Sequence, residues 1–112
     1  MKEIKAVIGP QRLAMLHEAL RAVPGFPGMT VSKAEGYVSP SQLVHAGQAH
    51  RHSIRDEITD HTSRLRIEML VPDDLADALF DAVVHSVSAG TPGDSLVWMG
   101  EVARAAFVHK TV

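Results

Sequence analysis

Met29-Thr30-Val31-Ser32-Lys33-Ala34-Glu35-Gly36-Tyr37 and Leu65-Arg66-Ile67-Glu68-Met69-Leu70-Val71 decide the reading of this chain. In both runs apolar residues recur at period two, the signature of a half-buried strand. Between them lies a polar segment, Val38 to Ser63, that carries His45, His50, His52 and His61, four of the seven histidines. A connection this long is uncommon inside a compact domain and is usually functional or disordered. The expected design is a small rigid scaffold that presents a long working loop.

Working outward, Glu3 to Ile8 alternates charged and apolar residues until Gly9-Pro10 breaks it, giving a first strand and a turn. Gln11 to Val23 places Leu13, Leu16, Leu20 and Val23 at helical spacing, and Pro24-Gly25-Phe26-Pro27-Gly28 stops that helix. The strands of the opening stretch run over Met29 to Tyr37 and Ser63 to Val71. Pro72-Asp73-Asp74 then starts a second helix, with acids where the dipole favours them, and Leu75, Leu79, Val83 and Val87 form its core stripe. Thr91-Pro92-Gly93-Asp94 is a turn cluster. Ser95 to Met99 reads as a short strand, and Gly100 to Val108 as a further strand or an edge extension.

The order strand, helix, strand, strand, helix, strand predicts an α+β fold, a ferredoxin-like βαββαβ sandwich with two helices on one face of an antiparallel sheet. Nothing in the sequence covers the other sheet face. Val31, Ile67, Met69, Val97 and Met99 are together too apolar for every strand to have a wet face, so self-association with closed symmetry is expected.

The 112 residues form one domain, 1–112, of ordinary globular composition, with 46% apolar and 21% charged residues. A formal charge of −2 supplies no field for nucleic acid or anionic lipid, and one tryptophan, one tyrosine and three phenylalanines make a poor base-stacking surface. The absence of cysteine removes disulfides, thiolate metal sites and cysteine nucleophiles. The start is too short and too charged for a signal peptide, and no apolar run approaches the ~18 residues that span a bilayer. A cytoplasmic location without membrane insertion is the expectation.

Five fragments in order give the chain a family likeness. They are Met1-Lys2-Glu3-Ile4-Lys5-Ala6-Val7-Ile8-Gly9-Pro10, then Gly28-Met29-Thr30-Val31-Ser32 with Gly36-Tyr37, Leu65-Arg66-Ile67-Glu68, Gly93-Asp94, and Glu101-Val102-Ala103-Arg104. Together they resemble the PII signal-transduction family over nearly the whole chain. The resemblance implies a homotrimer with inward-facing sheets and nucleotide clefts between subunits. It also implies long T-loops, here 38–63, that touch a regulated transporter or enzyme. Some members also bind 2-oxoglutarate or bicarbonate. Carried over, the cleft comprises Thr30, Gly36, Tyr37, Arg64, Gly90, Gly93 and Asp94, for an adenine nucleotide such as ADP or AMP.

The chain also departs from that family's pattern. Val38 and Pro40 stand where the family has a glycine and a glutamine, and Ser95-Leu96 where its B-loop has glycine-lysine. Phe107 and His109 align with two phosphate-binding arginines. Phosphate recognition uses cationic forks and closely approaching glycine backbone, which leucine and phenylalanine do not supply. The usual ATP site is therefore expected to be impaired. The family's modified loop tyrosine has no counterpart, since Tyr37 sits at the strand end.

His45, His50 and His52 suggest a second reading, a transition-metal site linked to metal homeostasis or efflux. In an extended chain His50 and His52 share a side, and Asp56, Glu57 and Asp60 would complete a coordination sphere. The plainer reading is a solvated partner-binding loop. Clustered imidazoles also titrate near neutrality. His17 and His85 sit on helices as surface residues. Arg64 and Arg66 share a strand face, with Arg66 and Glu68 read as an interface ion pair and Trp98 as core or interface. Asp73, Asp74 and Asp77 are helix-start charge rather than a catalytic pair. No serine lies in a strained nucleophile context, so no enzyme constellation is present. A trimeric structural protein of the divalent-cation-tolerance type has similar topology but lacks a segment of the 26-residue length between Tyr37 and Arg64.

Overall fold

A computed structural model describes residues 1–37, 61–88 and 95–108. Its elements run in the order β1 (Lys2–Ile8), a 3-10 turn (Pro10–Arg12), α1 (Leu13–Arg21), β2 (Thr30–Tyr37), β3 (His61–Val71), α2 (Asp73–Val87) and β4 (Leu96–Glu101). The sheet order is β2-β3-β1-β4 with every neighbouring pair antiparallel. This is the expected ferredoxin-like arrangement, in which each strand–helix–strand unit leaves a gap that a strand of the other unit fills.

Alternation on β1 buries Ile4, Ala6 and Ile8 completely. Gly9-Pro10 ends the strand, and the Arg12 N–H donates to the Gly9 carbonyl at 3.0 Å to close the turn. Leu16 and Leu20 of α1 are buried, with Leu13 and Val23 packed beside the core. The α1 helix is shorter than the 11–23 expectation. Pro10 starts a 3-10 turn first, and Pro24 disfavours helical backbone in the residue before it. In α2, Asp73 and Asp74 occupy the first turn, and Leu79, Val83 and Val87 are buried with Ala76.

Register decides which face of each strand meets these helices. Ile4 lies opposite Met69 and Met99, and Ala6 opposite Ile67 and Val97. Val31 lies opposite Ile67. The five residues expected to demand a cover from another copy therefore occupy the helix-facing side. Ile67 and Met69 are buried, Val97 and Met99 pack against the core, and Val31 is 39% exposed on the edge strand. The pleat sends the opposite parity to the open face: Glu3, Lys5, Val7, Arg64, Arg66, Glu68, Leu70, Leu96 and Trp98. That face is mixed, with Leu96 61% and Trp98 39% exposed.

Two strand boundaries also move. β3 begins at His61, because Tyr37 pairs with it across the hairpin. β4 includes Gly100 and Glu101, and 102–108 is not a strand. The reason is geometric: Lys2 pairs with Glu101, and the Val102 N–H donates to the Met1 carbonyl at 3.1 Å. Lys2 is the first residue of β1, so that rung is the last of the β1–β4 ladder.

Candidate functional site

The N-terminal end of β2 and the C-terminal end of β3 meet beside the start of β1. Thr30 lies opposite Glu68, and Glu3 opposite Leu70. Leading into β2, Gly28 adopts φ +105, a left-handed conformation that turns the chain after Phe26-Pro27. These segments and Phe107 bound an open cleft of about 510 Å³, lined by Glu3, Pro27, Gly28, Met29, Thr30, Glu68, Met69, Leu70 and Phe107. Its volume falls in the range of small-molecule sites.

Two carboxylates line the cleft, and each has a cation two residues away on its own strand. Lys5 Nζ lies 3.4 Å from Glu3 Oε1, and Arg66 Nε lies 3.4 Å from Glu68 Oε1. The ion pair of Arg66 with Glu68 thus forms within one strand, as neighbours of the same parity allow. Among the described residues, no lysine or arginine lines the cleft. Its polar character is that of an acceptor surface beside an aromatic and apolar wall.

Of the expected site residues, Thr30 lines this cleft. Gly36, Tyr37 and Arg64 lie at the other end of the same hairpin, where Gly36 pairs with Thr62 and Arg64 with Ala34. Gly36 lies six positions beyond Thr30 along β2, roughly 20 Å at strand rise. Within one subunit the two groups cannot touch a single small ligand. At that far end the half-buried Arg64 donates from its guanidinium to the Ser63 carbonyl at 3.5 Å. The Tyr37 hydroxyl donates to Glu35 Oε2 at 3.2 Å, and that carboxylate raises the phenol pKa above its ordinary value. Gly90, Gly93, Asp94, His45, His50, His52 and His109 lie outside the described residues. Among the described residues no three His, Asp or Glu side chains cluster as a metal site, and no helix is long and apolar enough to cross a membrane. His17 and His85 are exposed on their helices.

Glu3 and Leu70 carry no sequence signal as cleft residues, Phe107 is placed there only by its alignment with a phosphate-binding arginine of the family, and Glu68 reads in sequence as an ion-pair partner. The parity shared by Glu68 and Thr30 across a hairpin was a usable signal. Glu3 had none, since its place depends on pairing with a strand more than sixty positions away.

Comparison with known proteins matches residues 1–109 to the family model described as nitrogen regulatory protein P-II. Nitrogen regulatory protein P-II 1 of Escherichia coli (strain K12) is 32% identical over 104 residues, covering 93% of this chain and 88% of that protein. Nitrogen regulatory protein P-II of Klebsiella oxytoca is 31% identical over 104 residues, with the same coverage of 93% and 88%. The corresponding protein of Bradyrhizobium diazoefficiens is 30% identical over 105 residues, covering 94% and 88%. A match along nearly the whole length, on a sheet of the expected order, shows that the chain belongs to the nitrogen regulatory protein P-II family.

Proposed function

We propose that the protein is a single-domain subunit of a homotrimeric signalling regulator, without catalytic activity of its own. Its effector binds in clefts between subunits, and its partner, a transporter or enzyme, is controlled through residues 38–63. The observation that carries this reading is the separation of the site residues. Thr30 and the cleft stand at one end of β2, and Gly36 and Arg64 at the other. Only a second copy can bring one end against the other, so the ligand site is complete in the assembly alone. The open sheet face, with Leu96 and Trp98 exposed, is the surface on which copies meet.

The effector is an adenine nucleotide of low charge, ADP or AMP, with ATP binding weakened. Support comes from Phe107 in the cleft lining and from Ser95-Leu96 in place of glycine-lysine. Occupancy selects one arrangement of the long loop and so alters affinity for the partner. The test joins native mass spectrometry with calorimetry against ATP, ADP, AMP and bicarbonate. A three-fold mass and a heat of binding for ADP or AMP are expected. A monomer, or silence toward all four ligands, would overturn the reading.

A further inference from the structure

Resting on that nucleotide reading, we infer that residues 102–108 form a strap that closes on an occupied cleft, with Phe107 as its contact. β4 and β2 stand at opposite edges of the sheet, yet Phe107, six residues beyond Glu101, lines a cleft built from the start of β2 and the end of β3. The tail therefore crosses the ends of β1 and β3. Three strand spacings come to about 14 Å, and the five steps from Val102 to Phe107 reach at most ~17 Å, so the crossing uses most of the chain's reach. The segment is neither helix nor strand. Among the described residues, the Val102 N–H to the Met1 carbonyl is the one hydrogen bond that ties 102–108 to the rest of the molecule. Val102 and Ala105 are half-buried, and the other five residues are exposed. The remaining cleft residues lie on strands or in the turn before β2. Glu3 is paired on both sides, with Leu70 and Gly100, and Thr30 is paired with Glu68. A segment with few buried contacts and unpaired backbone opens at low cost, whereas paired strands do not. Of the residues lining the cleft, Phe107 is thus the one able to move with its segment.

Phe107 is 47% exposed, so a purine ring in the cleft offers its open side apolar surface to cover. Leaving the cleft would forfeit the contacts that its buried side already makes. Closing is the favoured movement, because it adds burial without giving any up. Trypsin cleavage after the exposed Arg104, read by mass spectrometry on the intact assembly, reports strap opening, since cleavage tracks the open population when opening is fast. Saturating ADP is expected to slow that cleavage by roughly fivefold or more. Phe107→Ala removes a half-exposed side chain and is expected to keep the far-ultraviolet signal of the wild type. Its ADP affinity by calorimetry is expected to fall roughly three- to tenfold, the scale of one aromatic contact, and bound ADP no longer protects Arg104. That loss separates the strap from general stabilisation by a ligand, which the variant keeps. ADP that binds the wild type without slowing cleavage at Arg104 would overturn the strap and leave the nucleotide reading in place. Wild-type affinity with full protection in Phe107→Ala would overturn it as well. No heat from ADP or AMP in the wild type would end the nucleotide reading, and the strap with it.

Discussion

Two glycines with positive φ frame the approach to β2, and they are held for different reasons. Gly25 has φ +88, and a Cβ built there would lie 2.8 Å from Leu75 Cδ1 on α2. Gly28 has φ +105, and a Cβ there would meet nothing within 4 Å. Alanine at either position carries the left-handed backbone penalty of about 1–2 kcal/mol. Gly25→Ala must also displace the Leu75 methyl, so it is expected to lose more. Urea midpoints at matched protein concentration check this, and equal midpoints would show that Leu75 rotates away freely. A core position sets the upper scale. Leu79, buried between α2 and the sheet, is expected to cost roughly 2–5 kcal/mol as Leu79→Ala, through lost transfer energy and a residual cavity.

Elements here end where their partners end. The β1–β4 ladder ends where Lys2, the first residue of β1, pairs with Glu101, and an exposed ion pair between these two residues sits at that last rung. The same corner anchors α2, since the Met1 amino group lies 2.6 Å from Asp73 Oδ1 in the first helical turn. That hydrogen bond and charge hold the Asp73 carboxyl below the usual carboxylate range. A lowered carboxylate pKa contributes stability above the unfolded value, and the contribution is lost as pH falls through the lowered one. Asp73→Asn is therefore expected to lower the urea midpoint slightly at neutral pH, by the small amount typical of exposed pairs, and to converge on wild type as pH falls through the lowered carboxyl pKa. A gap that persists undiminished in acid would mean that Asp73 acts through geometry rather than charge.

At the scale of the whole molecule, the open sheet face decides whether a single chain is sufficient. Leu96 is 61% exposed beside Trp98 and opposite Val7, with no cation directly across the strand pair. Leu96→Asp would bury an uncompensated carboxylate if this face closes against other copies, at a cost of several kcal/mol. The expected result is a shift from three-fold to single-chain mass in native mass spectrometry, with the helical far-ultraviolet signal retained. A trimer that survives the substitution would place the contact surface elsewhere. The same shift would abolish ligand heat, because the two ends of β2 lie too far apart to share a ligand within one subunit.

Local periodicity and chain breakers in the sequence determined the elements and their order. Alternation wrote β1 to β3, the Leu16–Leu20 and Leu79–Val83 spacings wrote the helices, and Gly9-Pro10 and Pro24-Gly25 separated them. Family fragments such as Gly28-Met29-Thr30 and Arg66-Ile67-Glu68 pointed to the matching relatives. What only the tertiary structure decided was parity and proximity. A period of two says that one strand face is apolar, but the pairing of Ile4 with Met69 and Met99 is what turns those residues toward the helices. Likewise, nothing local joins Glu3, Thr30, Glu68 and Phe107, which are brought to one cleft by strand register and by a tail that leaves the sheet after the last β1–β4 rung. Periodicity is a property of neighbouring residues, whereas a face and a cleft are properties of pairings between distant ones.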